Sequence, residues 1–156
     1  MSKSAVNETN EEARELARRL LQGAGHAALA VNDPDGPAPL ASRVAIMADE
    51  RDALILVSDL STHTRGLRSD GNCSLLIGEP GPKGDPLTHP RMTFIAEAFA
   101  TDKLAHRERW LQRHPPAKLW FDFADFTMFR LTPRRILLNG GFGKAYHLMP
   151  EDLDPQ

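Results

Sequence analysis

Ala53-Leu54-Ile55-Leu56-Val57-Ser58, followed at once by Asp59-Leu60-Ser61-Thr62-His63-Thr64-Arg65-Gly66-Leu67-Arg68, is the stretch on which the fold turns. The apolar run Leu54 to Val57, bounded by the charged turn 49–52 and a polar segment, predicts a buried strand. The hydroxyl residues after it suit a helix start, where their oxygens satisfy free backbone donors, so a loop into one or two helical turns is expected. Upstream, His26–Val31 and Leu40–Ala48 read as two further strands, parted by the turn formers Asn32-Asp33-Pro34-Asp35-Gly36. No helix separates these three strands. They therefore predict an antiparallel meander, because a parallel sheet needs a crossover between neighbours.

Working outward, Thr9 and Glu12 have capping-box spacing. Ala13, Leu16, Ala17, Leu20 and Leu21 then form one apolar stripe, which predicts a helix ending at Gly23 and Gly25. Cys73–Ile77 and Met92–Ala100 read as strands around the Pro- and Gly-rich loop 78–90. Asp102 opens a helix running to about His114, where Pro115 and Pro116 stop it. Trp120–Phe126 reads as a short helix or turn, and 129–131 and 136–138 as the last two strands. The result is a mainly β chain: a six-stranded antiparallel barrel with flanking helices. One domain is expected over 1–156, with an N-terminal helix in 1–24, the barrel and its helices in 26–148, and a tail in 149–156.

The chain has 156 residues, 41% apolar and 26% charged, enough to bury a core without disulfide or metal staples. Nineteen Lys and Arg against 21 Asp and Glu leave a net charge of -2, which argues against a nucleic-acid partner. The polar N-terminus has no apolar signal segment and no run is long enough to span a bilayer, so a cytoplasmic protein without a membrane partner is expected. The single cysteine, Cys73, sits in an apolar run and reads as a small buried hydrophobe.

Four polar features could carry chemistry. Ser58 with Ser61, Thr62, His63, Thr64 and Arg65 places hydroxyls, an imidazole and a guanidinium where a helix begins, a setting that suits a phosphate; an ordinary capped turn is the plainer reading. Arg43 lies inside a strand and either faces solvent or needs an anionic partner. The six histidines are scattered, so no histidine metal set is expected, and His106 and His114 read as solvated helix positions. Gly140-Gly141-Phe142-Gly143 allows either a tight turn or a close backbone approach to a planar ligand.

Four stretches in this order resemble the pyridoxamine 5′-phosphate oxidase-like family of FMN-binding split barrels, closest to its haem-utilisation branch. They are Ser42-Arg43-Val44-Ala45, Ser61 to Leu67, Gly84-Asp85-Pro86-Leu87 through Pro90-Arg91-Met92-Thr93, and Gly140 to Ala145. The resemblance spans His26 to His147. It implies a homodimer with two FMN sites at the dimer interface and a small-molecule substrate or electron donor. Arg43, Val44, Ala45 and Ser58 would line the flavin, Ser61, Thr62, His63, Thr64 and Arg65 would hold its phosphate, and Arg91 and Phe142 would reach it from the partner subunit. The aromatic cluster 120–126 is a second hint of an interface.

The departures are specific. Ser61-Thr62-His63 stands where the oxidases typically carry Ser-Arg-Lys, and Ala48 lies where a lysine is expected after Arg43. The chain ends Glu151-Asp152-Leu153-Asp154-Pro155-Gln156, without the arginine and histidine of a pyridoxine site. Pyridoxamine phosphate oxidation is therefore not expected. The leading expectation is a small FMN-dependent oxidoreductase of unknown substrate, with no assigned acid or base. The alternatives are a haem-binding or haem-degrading barrel with His147 or His63 as axial ligand, and a non-enzymatic barrel whose cofactor site has decayed.

Overall fold

A computed structural model describes residues 5–156. Helix α1 (Glu11–Gly23) starts at Asn10, whose side chain accepts the Ala13 amide at 2.9 Å. Thr9 is not the cap expected from the capping-box spacing, because its hydroxyl donates to the His147 carbonyl at 2.9 Å. Ala13, Ala17 and Leu21 form the buried face of α1, one turn apart.

The strands are β1 (His26–Asn32), β2 (Pro39–Asp49), β3 (Asp52–Ser58), β4 (Asn72–Ile77), β5 (Arg91–Thr101), β6 (Phe126–Asn139) and β7 (Ala145–Leu148). Their order is β3-β2-β1-β4-β5-β6-β7, all antiparallel, and β3 also pairs with β6. That pairing closes β1 to β6 into a six-stranded barrel, as expected, with β7 added beside β6. Two short helices flank it, α2 (Thr62–Ser69) and α3 (Arg107–Arg113). Alternation along the strands fills the interior with Leu29, Ile46, Ile55, Leu75, Phe94 and Leu131. Among the described residues no helix is long and apolar enough to cross a membrane.

The end of the chain departs from its sequence reading. The two separate final strands are one strand of 14 residues, β6, running through Pro133. The register shifts there, with Ala96 opposite Pro133 and Ile95 opposite Arg135, so Arg134 is the extra residue of a bulge. A bulge is where a residue lacking an N–H does least harm to a sheet. β7 was not expected. Beyond it, the tail folds into a 3-10 turn (Pro150–Leu153) that buries Leu153 beside α1, and Arg14 Nε pins it by donating to Asp152 at 2.7 Å.

A second core lies outside the barrel, where Met47, Leu54, Leu56 and Met128 pack under Trp110, Ala117 and Phe121. Phe121 of the aromatic cluster is therefore core, although Phe123 stays exposed. The helix expected from Asp102 is split into a 3-10 turn (Leu104–His106) and α3. His114 is not solvated: its ring lies 4.7 Å from that of Trp110 and its Nε2 donates to the Ile46 carbonyl at 2.8 Å. His106 is half-buried, with its Nδ1 shielded and unpartnered. Burial pushes the Cys73 thiol up to about 12, in keeping with a packed side chain.

Candidate functional site

The hydroxyl-rich segment after β3 does start a helix, but its polar groups are largely spent on the chain itself. Ser61 is the N-cap of α2 without a side-chain cap bond, and Thr62 is the first helical residue. Thr64 is fully buried, its hydroxyl donating to the Ser58 carbonyl at 2.6 Å. Ser58 Oγ accepts the Leu60 amide at 3.2 Å. His63 is half-buried with Nδ1 3.0 Å from Ser42 Oγ, and desolvation holds its pKa below the ordinary value. Arg65 donates from Nη1 and Nη2 to Asp35, at 3.1 and 2.5 Å. The cation expected to face a phosphate is thus already offset by a carboxylate.

β2 alternates, so Val44 points into the barrel while Arg43 and Ala45 face outward. Arg43 is exposed and has no partner among the described residues. Ala45 lines a small apolar cavity of about 130 Å³ with Leu56, Trp110, His114, Pro116, Ala117 and Trp120.

Arg43 also begins a row that crosses the outer face of the barrel. It lies opposite Ala28, Ala28 opposite Leu76, Leu76 opposite Thr93, Thr93 opposite Leu137, and Leu137 opposite His147. Apart from Thr93 the middle of this row is apolar, and Leu76 is 50% exposed. At the far end, Leu76, Arg91, Thr93, Leu137, Asn139 and His147 line a shallow hollow of about 270 Å³. The His147 side chain is exposed and makes no hydrogen bond among the described residues. Arg91 is the one cation lining the hollow, and no described carboxylate does. Arg91 Nη1 is held by the Leu87 and His89 carbonyls, at 2.7 and 3.3 Å. Phe142 stands at the tip of the turn between β6 and β7, fully in solvent, with Gly141 at φ 124° and Gly143 at φ 72° on either side. The structure therefore brings Arg91 and His147 together, and keeps His63 and Arg65 in a separate place at the start of α2.

The family model described as CREG, beta-barrel matches residues 8–153. The chain belongs to the CREG beta-barrel family. This CREG beta-barrel chain is 34% identical over 98 residues to the chloroplastic heme oxygenase HOZ of Arabidopsis thaliana, covering 60% of this chain and 29% of that protein. It is 28% identical over 134 residues to heme oxygenase HutZ of Vibrio cholerae, covering 80% and 74%. It therefore spans under a third of HOZ. A heme-binding protein from Mycobacterium smegmatis superposes with a TM-score of 0.82 at 28% identity, over 98% of this chain and 61% of that one. A protein of the pyridoxine phosphate oxidase family from Clostridium acetobutylicum shares the fold, with a TM-score of 0.72 at 11% identity, over 93% and 99%. The split-barrel likeness to the pyridoxamine 5′-phosphate oxidases and the nearness to haem utilisation both stand.

These findings correct the expectation of an FMN-dependent oxidoreductase. The relatives carry names from haem chemistry, and at the expected phosphate loop Arg65 is bound to Asp35 while Thr64 is bound to backbone. Sequence reading missed β7, and with it the neighbourhood of His147. The only signal was two alternate apolar residues, Tyr146 and Leu148, after a glycine-rich turn, too short a run to show a period.

Proposed function

We propose that this chain binds haem on the outer face of the barrel, across β4 to β7, and takes part in oxidative haem breakdown. The observation that carries the reading is the hollow where the His147 ring, without a hydrogen bond among the described residues, sits with Arg91 beside Leu76 and Leu137. Each part matches a part of haem: an imidazole for the iron, a cation for a propionate, and Leu76, Thr93 and Leu137 for the porphyrin face. His147 is better suited to the iron than His63, whose Nδ1 is tied to Ser42. Likeness to two haem oxygenases supports the breakdown step.

At about 270 Å³ the hollow falls just below the usual size of a ligand site. A second copy of the chain on the apolar row would supply the missing wall, so the binding form is a homodimer. Haem when bound would supply the redox-active iron. The chain's own part is to hold the ring against Leu76 and Leu137, to neutralise a propionate through Arg91, and to shed water from the covered face.

The test is a haemin titration followed by gel filtration. Wild type and His63→Ala should retain a Soret band, and His147→Ala should lose it; retention by His147→Ala overturns the ligand assignment. With a reductant in air the wild-type band should bleach, and a lasting band would remove the breakdown reading.

A further inference from the structure

The loop 78–90 between β4 and β5 is built around one imidazole. His89 Nδ1 accepts the Gly81 amide at 2.9 Å, and its Nε2 donates to the Lys83 carbonyl at 2.7 Å. Only the neutral ring with its proton on Nε2 makes both bonds, since a charged ring has no acceptor left. The ring also lies flush on Gly81, where an added Cβ would come within 2.9 Å of His89 Cε1. Next to it, Asp85 caps the 3-10 turn Pro86–Thr88 by accepting the Leu87 amide at 2.9 Å. The carbonyls of Leu87 and of His89 itself then receive Arg91 Nη1. His89 is thus one bond away from the guanidinium that faces the hollow.

We infer that His89 is a positioning residue for Arg91, and that its neutral ring holds the loop whose carbonyls aim Arg91 at the ligand. The consequence for haem rests on the reading given under Proposed function. Protonation of the ring places a second N–H against that of Gly81, so the loop opens and Arg91 loses its anchors. Glu79 is paired with His26 at 3.0 Å, Asp85 is spent on its cap, and Lys83 contributes its carbonyl. The β6–β7 turn, with Lys144, meets the loop at the Thr88 carbonyl through Gly141. None of these side chains makes a hydrogen bond to the ring, so none substitutes for the Gly81 contact.

The test starts on the apo protein by NMR, following the His89 tautomer, the protection of the Gly81 amide and the order of the Arg91 side chain between about pH 8 and pH 5. In the wild type all three should change together as the pH falls. His89→Asn keeps an acceptor near Gly81 and carries no ionisable ring, so Arg91 should stay ordered across the range. His89→Ala should show a mobile Arg91 at every pH. In haemin titrations His89→Ala and Arg91→Ala should each weaken binding roughly tenfold, with the double variant no weaker than either. Arg91 order that ignores both acid and His89→Ala overturns the inference. If the wild type binds no haemin, the haem reading fails while the apo measurement still decides whether His89 positions Arg91.

Discussion

Arg65 and Asp35 face each other across the start of α2, Nη1 and Nη2 of one donating to the carboxylate of the other. The carboxylate comes from the β1–β2 turn, which the sequence presents only as a turn. This pairing explains how a segment rich in hydroxyls and positive charge ends without a free cation. It also holds the Asp35 carboxyl below its ordinary range, chiefly through the hydrogen bond from Arg65.

Asp35→Asn should therefore release Arg65. Added inorganic phosphate should then shift the backbone amide resonances of Ser61 to Thr64 at lower concentration than in the wild type. Equal responses would show that Asp35 is not what silences this segment.

Asp49 joins three elements. It accepts Arg130 Nη2 at 2.7 Å and Arg109 Nη1 at 3.0 Å, while Arg130 Nη1 reaches Asp52 at 2.8 Å. Desolvation pushes the Asp49 carboxyl up, but the bonds from Arg130 and Arg109 outweigh it and the net shift is downward. A lowered folded pKa means the contribution is present above the unfolded value, about 3.9, and lost as the pH falls through the folded one. Asp49→Asn should cost about 1–3 kcal/mol at neutral pH and flatten the loss of stability below about pH 4, read by urea unfolding.

Gly66 lets α2 rest on β1. A Cβ there would lie 2.9 Å from both the Asn32 carbonyl oxygen and Val31 Cγ2. Gly66→Ala should destabilise by about 1–3 kcal/mol through overpacking, seen as a lower thermal midpoint. An unchanged midpoint would mean that α2 is free to move away from the barrel.

Leu76→Arg places a charge in the middle of the exposed apolar row. In the proposed homodimer it should break the pair to a monomer, read by sedimentation equilibrium, and weaken haemin binding. Leu104→Arg, at another exposed leucine, should do neither. A dimeric Leu76→Arg would rule this row out as the interface.

The barrel was legible because its strands advertise themselves. Leu54 to Val57 and Met92 to Ala98 are long enough for burial to show as composition or alternation, and the interrupting turns carry Asp, Pro and Gly. Pro133 misled for a physical reason: a proline breaks a regular ladder, but a bulge absorbs it, and a bulge depends on the partner strand. The site was only half legible. Arg91 and His147 were both candidates, but the cross-strand register that makes them neighbours depends on β7, four residues with little pattern. The pairing of Arg65 with Asp35 joins positions 30 apart and leaves no local trace.

The β3–β6 pairing leaves β7 as the terminal strand of the sheet, and the chain covers that side itself. Asn7 bridges Tyr146 in parallel, its amide donating to the Ala145 carbonyl at 2.8 Å, and Thr9 takes the His147 carbonyl. An unguarded rim there would invite strand addition by another molecule and, from that, polymers. The segment ahead of α1 thus acts as a stopper. Cutting it away should both invite fibrils and loosen the backbone that carries His147.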